Sequence, residues 1–404
     1  MSGRRFLAAA LSVAAVCWFA MSCPPAVAQV TNLQKNQMRS IIETAANEMT
    51  AGKNEDQVIQ ARQRLEDGYR SAREDGSALA YFYAGDAADQ LAPLLGPGLR
   101  GDDPLRQLRM VNAALALSQM NQVSAQAALQ QMVGHESPAV RLYGWRGYRR
   151  TRRQILAYGG QAAERFFKTV QQRAGAETNV TVLGGFFRML DLGVAMGPGI
   201  DPETWQDWRK VERGVLEDNW DTWCAMLLEE NTEMALAALP LMSVAQGHIL
   251  EIQQEMRRQG AAKEAIDQAI SPLLDLLYKL AWHSTLAYKQ AGHGSRVANA
   301  HGYLLRQWEQ GLNGLLGTDH AFLLRAITRA VYGTMELTGD DRYETAVRLS
   351  VIGADGWFGV LNAYGVEQVK APAELPAERG GNENAGEASE RPTTRPTQPA
   401  AAEG

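Results

Sequence analysis

Four arginines, Arg146, Arg149, Arg150 and Arg153, stand at i, i+3, i+4 and i+7, so a helix through them gathers four guanidinium groups on one face. Gly144, Tyr148 and Ile155 fall on the opposite side. A guanidinium is a planar fork of donors that matches carboxylate and phosphate oxygens two at a time. The stripe is therefore a candidate partner-binding face for an acidic peptide, a phosphate or an anionic polysaccharide. The competing reading is a solvated helix face whose charges pair with nearby Glu and Asp.

A second constellation is aromatic. Trp205 and Trp208, then Trp220 and Trp223, form two i, i+3 pairs with Asp207, Asp218 and Asp221 close by. An indole covers the apolar face of a sugar ring, and two carboxylates can serve as acid and base in glycoside cleavage. The four tryptophans are thus candidate sugar-stacking residues, although i, i+3 aromatics equally describe plain packing between helices.

The remaining inventory supplies no catalytic, cofactor-binding or metal-ligating residue. The six histidines are His135, His248, His283, His293, His301 and His320, and none makes the i, i+4 pair that a helical zinc site needs. His293 and His301 stand apart across a glycine break with no carboxylate at ligand spacing between them. Cys224 follows Trp223 and reads as a small buried hydrophobe. The chain has no Gly-x-Ser-x-Gly, no phosphate-cradling glycine loop with Lys, no haem-attachment motif and no Rossmann glycine pattern. No cofactor is expected.

The elements that must carry these residues are helical. Apolar residues recur at helical spacing between Gln29 and Lys370, as in Met38, Ile41, Ile42, Ala45 and Met49, or Ile266, Ile270, Leu273, Leu274, Leu277 and Ala281. Alternating strand patterns do not occur, so the fold class is all-α. Helix starts are marked by a short polar residue before proline at Asp103-Pro104, Ser137-Pro138, Asp201-Pro202 and Ser271-Pro272, the last of which also reads as a kink in one long helix from Ala261. Breaks fall at Gly52, Gly96-Pro97-Gly98, Gly134, Gly159-Gly160, Gly197-Pro198-Gly199, Gly292, Gly317 and Gly339. They delimit roughly a dozen helices.

One segment resembles a known family. Ser137-Pro138-Ala139-Val140-Arg141, followed by Leu142-Tyr143-Gly144-Trp145, resembles the opening of the second helix of a HEAT-type repeat, with the first helix at Leu105 to Met120 or Val123 to Val133. The resemblance covers about forty residues well, in line with repeat length, extends more loosely to Thr178-Asn179-Val180-Thr181-Val182-Leu183 without the Arg, and is limited to about residues 105–192. It implies that Val140 faces the core, that Arg141 hydrogen-bonds along the stack, and that the first half is a HEAT-like α-solenoid used for binding. No fixed period recurs from Trp205 to Tyr364. An α/α toroid and a globular helical bundle stay open as alternatives.

The ends read differently from the body. Arg4-Arg5, an apolar run from Phe6 to Met21, and Ala26-Val27-Ala28 predict a signal peptide over residues 1–28. The expected location is periplasmic or secreted, with lipid anchoring through Cys23 as the alternative. Residues 371–404, rich in Pro, Ala and Glu and without an aromatic, read as a disordered tail. The body, 29–370, carries a candidate subdivision near 197–201. Formal net charge is −5 before the leader and its two arginines are removed, which disfavours nucleic acid as a partner. No transmembrane segment is expected in the mature chain. These readings predict an exported, non-enzymatic protein-interaction or scaffold module of the cell envelope. The alternative is an exported α/α-toroid enzyme acting on polysaccharide, a glycoside hydrolase or lyase.

Overall fold

Alternate helices pack against one another throughout the described residues. A computed structural model describes residues 30–96, 104–228, 232–292, 294–326 and 341–367, and among them every regular element is helical. The leader with Cys23, His293, Gly339 and the tail 371–404 lie outside the described residues. In chain order the helices are α1 (Asn32–Ala51), α2 (Glu55–Asp75), α3 (Ser77–Leu91), α4 (Pro104–Gln119), α5 (Gln126–Val133), α6 (Pro138–Tyr158) and α7 (Gly160–Ala174). They continue as α8 (Val180–Leu190), α9 (Pro202–Met226), α10 (Thr232–Arg258), α11 (Lys263–Ala291), α12 (Arg296–Leu316), α13 (Asp341–Ile352) and α14 (Trp357–Asn362).

The even-numbered helices α2, α4, α6, α8, α10 and α12 contact one another in succession, and the odd-numbered helices α1 through α13 form a second succession. The chain therefore steps back and forth between two layers. Each helix buries an apolar stripe against its own layer and against the neighbour that precedes or follows it. Among the described residues the successions continue across the glycine break at 197–199 through α8 against α10 and α7 against α9. Among the described residues, no interface of comparable extent joins α1 to α12 or α13.

Local chemistry explains the boundaries. Asp201 caps α9, its carboxylate accepting from the backbone N–H of Glu203 at 2.9 Å and of Thr204 at 3.3 Å, with Pro202 in the first turn. Asn179 caps α8 through Val182 N–H at 3.2 Å, and Ser295 caps α12 through Ala298 N–H at 3.0 Å. Ser137 stands at the N-cap of α6 without a side-chain bond, leaving Pro138 to set the first turn. Ser271-Pro272 starts no helix, because α11 runs through it from Lys263 to Ala291, as α10 runs through Pro240. Proline deletes one backbone bond there, and the burial of Ile270, Leu273, Leu274 and Leu277 holds the helix across the defect. Gly76, at φ +139°, separates α2 from α3 at a break the glycine pattern had not suggested.

Side-chain bonds tie successive helix pairs together, several of them between residues the same distance apart in sequence. Gln131 Nε2 donates to Leu95 O at 3.2 Å, Gln126 Nε2 to Ala162 O at 2.7 Å and Arg152 Nη1 to Arg188 O at 2.9 Å, while Arg141 grips Glu177; each pair is 36 residues apart.

The core is aromatic where the two layers meet. Trp145 of α6 meets Phe186 of α8 edge-on at 4.7 Å, and Phe187 meets Trp223 of α9 at 4.8 Å. In parallel, Tyr148 packs on Phe166 at 5.2 Å, which stacks on Trp208 at 5.1 Å. Helix α10 is long and apolar enough to cross a membrane, and half of that apolar stretch is buried within the body, where α10 packs on α8, α11 and α12.

Candidate functional site

Helix α6 is amphipathic in an unequal way. Val140, Trp145, Tyr148, Ile155 and Leu156 are wholly or nearly buried, and Gly147 lets α6 approach α5 closely: a Cβ there would stand 2.4 Å from Leu129 Cδ2. Arg146, Arg149, Arg150 and Arg153 come out together on the exposed side. Arg146 stacks over the Tyr143 ring at 5.3 Å, Arg150 Nη1 donates to Ser118 O at 2.9 Å, and Arg153 Nη2 reaches Leu192 O at 3.4 Å. Among the described residues Arg149 has no hydrogen bond or ion pair, and none of the four is ion-paired to a carboxylate. Burial, and then the charges of Arg146 and Arg149, hold the Arg150 pKa below its ordinary value. The face is thus a crowded cluster of cations whose hydrogen bonds go to carbonyls, and the one carboxylate that acts on Arg150 from nearby, Glu66, is itself paired with Arg62.

The arginines that flank this face have different work. Arg141 makes a two-pronged bond to Glu177 at 2.7 and 3.0 Å and also donates to the carbonyls of His135 and Glu136. Glu177 in turn accepts from Asn179 N–H at 2.9 Å, which anchors the start of α8. Arg152, buried, donates to the carbonyls of Arg188, Met189 and Asp191, and so closes the C-terminal end of α8. Burial pushes its pKa down to about 10. Arg152 and Arg153 together fasten the 191–200 loop against α6.

The four tryptophans turn inward. Trp205, Trp208, Trp220 and Trp223 are all buried, and Trp208 and Trp223 are engaged by Phe166 and Phe187. Asp207, Asp218 and Asp221 face outward, where Asp207 pairs with Lys210 at 3.0 Å and Asp221 with Lys279 at 3.4 Å. The structure therefore brings no indole face beside these carboxylates. The helical period decides this, since residues one or two positions from an inward tryptophan point away from it.

The structure also assembles a group that the motif search passed over. Arg209 of α9 lies between two carboxylates, bonding Glu212 through Nη1 and Glu251 of α10 through Nε at 2.7 Å. His248 Nε2 stands 3.0 Å from Glu212 Oε2, with both side chains wholly buried. Arg209 is also 5.9 Å from the Trp205 ring. The sequence held a signal: Glu212 shares a helical face with Trp205, Trp208, Leu216 and Trp220, and His248 shares one with Leu241, Val244 and Ala245. A charged residue in an apolar stripe must find a partner inside, because an unpaired buried charge is costly.

Two further groups are structural. Ser284 Oγ lies 3.0 Å from His301 Nδ1, yet both are buried and His301 Nε2 has no partner among the described residues, so the pair lacks both access and an orienting acid. Burial pushes the His301 pKa down to about 4 and the Cys224 thiol upward, which keeps both neutral. Glu309 accepts from Leu323 N–H, Leu324 N–H and Trp357 Nε1, each at 2.8 Å, clamping the last described helices onto α12.

No protein-family model, curated protein or solved structure matches this chain.

Proposed function

We propose that the chain is a non-enzymatic interaction scaffold of the cell envelope, exported through its N-terminal leader, whose α6 face receives an acidic segment of a partner protein. The observation that carries the reading is the set Arg146, Arg149, Arg150 and Arg153, crowded on one exposed face with no carboxylate paired to any of them among the described residues. Exposed cations usually find partners of either kind at little cost. Four left together without one are electrostatically suited to an anion from outside, and planar guanidinium forks suit carboxylates. The alternation of two helix layers, without comparable closure between the first and last helices, is in keeping with an open α-solenoid that presents side faces to partners. The reading as a polysaccharide enzyme draws no support from Trp208, Trp220 and Trp223, which are wholly or nearly buried, and Trp205 has Asp207 turned away from it onto Lys210.

Fluorescence anisotropy with a labelled oligoglutamate peptide tests this. Binding that weakens with added salt is expected, as is its loss when Arg146, Arg149, Arg150 and Arg153 are all changed to Ser with the helical circular dichroism unchanged. Equal binding by that variant sinks the site. Capture of the tagged chain from envelope extract, with intact-mass analysis, tests export: a mature end at Gln29 is the expected result.

A further inference from the structure

Helices α9 and α10 and the 191–200 loop enclose a groove of about 950 Å³ that is separate from the α6 arginine face. Trp205, Arg209 and Arg213 line it from α9 at i, i+4 and i+8, one above the other on a single face. Ile252 and Met256 line it from α10, and Met196 from the loop. The volume lies in the range of small-molecule sites, which combine apolar walls with a few placed polar groups.

The groove is preorganised. Its loop is fastened from behind by Arg152 to Asp191 O at 2.5 Å and by Arg153 to Leu192 O, and Val194 rests on α10, 3.6 Å from the Cβ position of Gly247. Arg209, 8% exposed, is locked between Glu212 and Glu251 and beside the Trp205 ring, and its Nη2 is without a hydrogen-bond partner among the described residues. The charges along the walls nearly cancel in pairs: Lys210 with Asp207 at 3.0 Å, Arg258 with Glu255 at 2.8 Å, and Arg209 with its two carboxylates. Arg213 is the exception, half-buried and without a partner among the described residues.

We propose that this groove binds a small amphipathic anion, its aromatic or alkyl body against Trp205, Ile252 and Met256 and its one anionic group on Arg213. Apolar walls supply area for the body, and the single unmatched cation sets the charge. A polyanion is disfavoured here by Glu251 and Glu255, which line the same groove. Arg209 acts as a positioning residue that holds the indole and the α9–α10 spacing.

The test is isothermal titration of the full chain with 2-naphthoate, decanoate and the neutral 2-naphthamide. Saturable one-to-one binding of at least one acid is expected, with the amide at least tenfold weaker than naphthoate where naphthoate binds. Tighter naphthoate binding assigns an aromatic acid and tighter decanoate binding an acyl carboxylate. Arg213→Gln, at a partly buried position where the substitution breaks no hydrogen bond or ion pair among the described residues, should weaken the preferred acid about tenfold. Met196→Glu, which sets a carboxylate at the groove, should weaken it at least as much. An α6 variant with Arg146, Arg149 and Arg150 changed to Ser, and with Arg153 kept because it holds the groove's loop through Leu192 O, should bind the acid as the native chain does, which separates this site from the proposed partner face. Absence of saturable binding, an amide that binds as well as the acid, no effect of Arg213→Gln, or loss in the α6 variant each overturns the proposal.

Discussion

On α6, four arginines stand at the surface without carboxylates; on α9, Arg209 lies buried between Glu212 and Glu251 with His248 behind. The side-chain chemistry is the same in both places. What differs is cover. The outer face of α6 faces solvent, which solvates an unpaired guanidinium at little cost. Behind the groove, where α9 and α10 pack around Glu212 and His248, water is excluded, so the guanidinium of Arg209 must be neutralised there within hydrogen-bond distance. An arginine that keeps its charge available for a partner and one that spends it on internal order are distinguished by the neighbouring helix, not by the residue.

The sharpest way to break this contrast is to remove the buried counter-charge. Glu212→Ala leaves Arg209 with Glu251 as its one carboxylate and the buried His248 without its acceptor, and should cost about 4 kcal/mol of unfolding free energy, measured by urea denaturation. A loss under about 1 kcal/mol would mean that water reaches the cluster and that the contrast fails.

A somewhat smaller effect comes from a buried group kept neutral. The His301 pKa is lowered from near 6.5 to about 4, so as pH falls the unfolded chain takes the proton first. Stability from this group is complete above about pH 6.5 and is lost between there and pH 4, by about 3 kcal/mol. Denaturation midpoints of His301→Gln across that window should show a shallower decline than the native chain. An unchanged slope would assign the acid sensitivity to other groups.

The smallest pair compares two arginines three positions apart. Arg152→Met removes the donor to three carbonyls at the end of α8 and should cost about 2 kcal/mol. Arg149→Met should change stability by less than about 0.5 kcal/mol. Thermal unfolding followed by circular dichroism reads both, and equal losses would erase the distinction between face and clamp.

Much of the fold could be read from local signals, because those signals act over one or two turns. Asp201-Pro202, Asn179 and the breaks at Gly159-Gly160 and Gly317 mark helix ends through capping and through positive φ, which need no distant contact. Ser271-Pro272 fails as a helix start for the opposite reason: burial along α11 outweighs a single lost backbone bond, as it does at Pro240 in α10. Arg141 stood out through the Ser-Pro-x-Val-Arg pattern, and its bond to Glu177 joins one helix pair to the next. The Arg209, Glu212 and His248 group did not stand out, since α9 and α10 are far apart in the alphabet of short motifs and only their packing brings 212 to 248.

By itself the sequence determined that the body is helical, where most helices begin and end, and that Arg146, Arg149, Arg150 and Arg153 share a face, because the α-helical period is a property of the backbone. Tertiary structure alone decided which faces are covered. It turned the four tryptophans into core, left the α6 arginines without counter-ions, and closed a groove around Arg213, because burial depends on which helix lies opposite, and the two-layer alternation is set by the summed packing of every stripe rather than by any one of them.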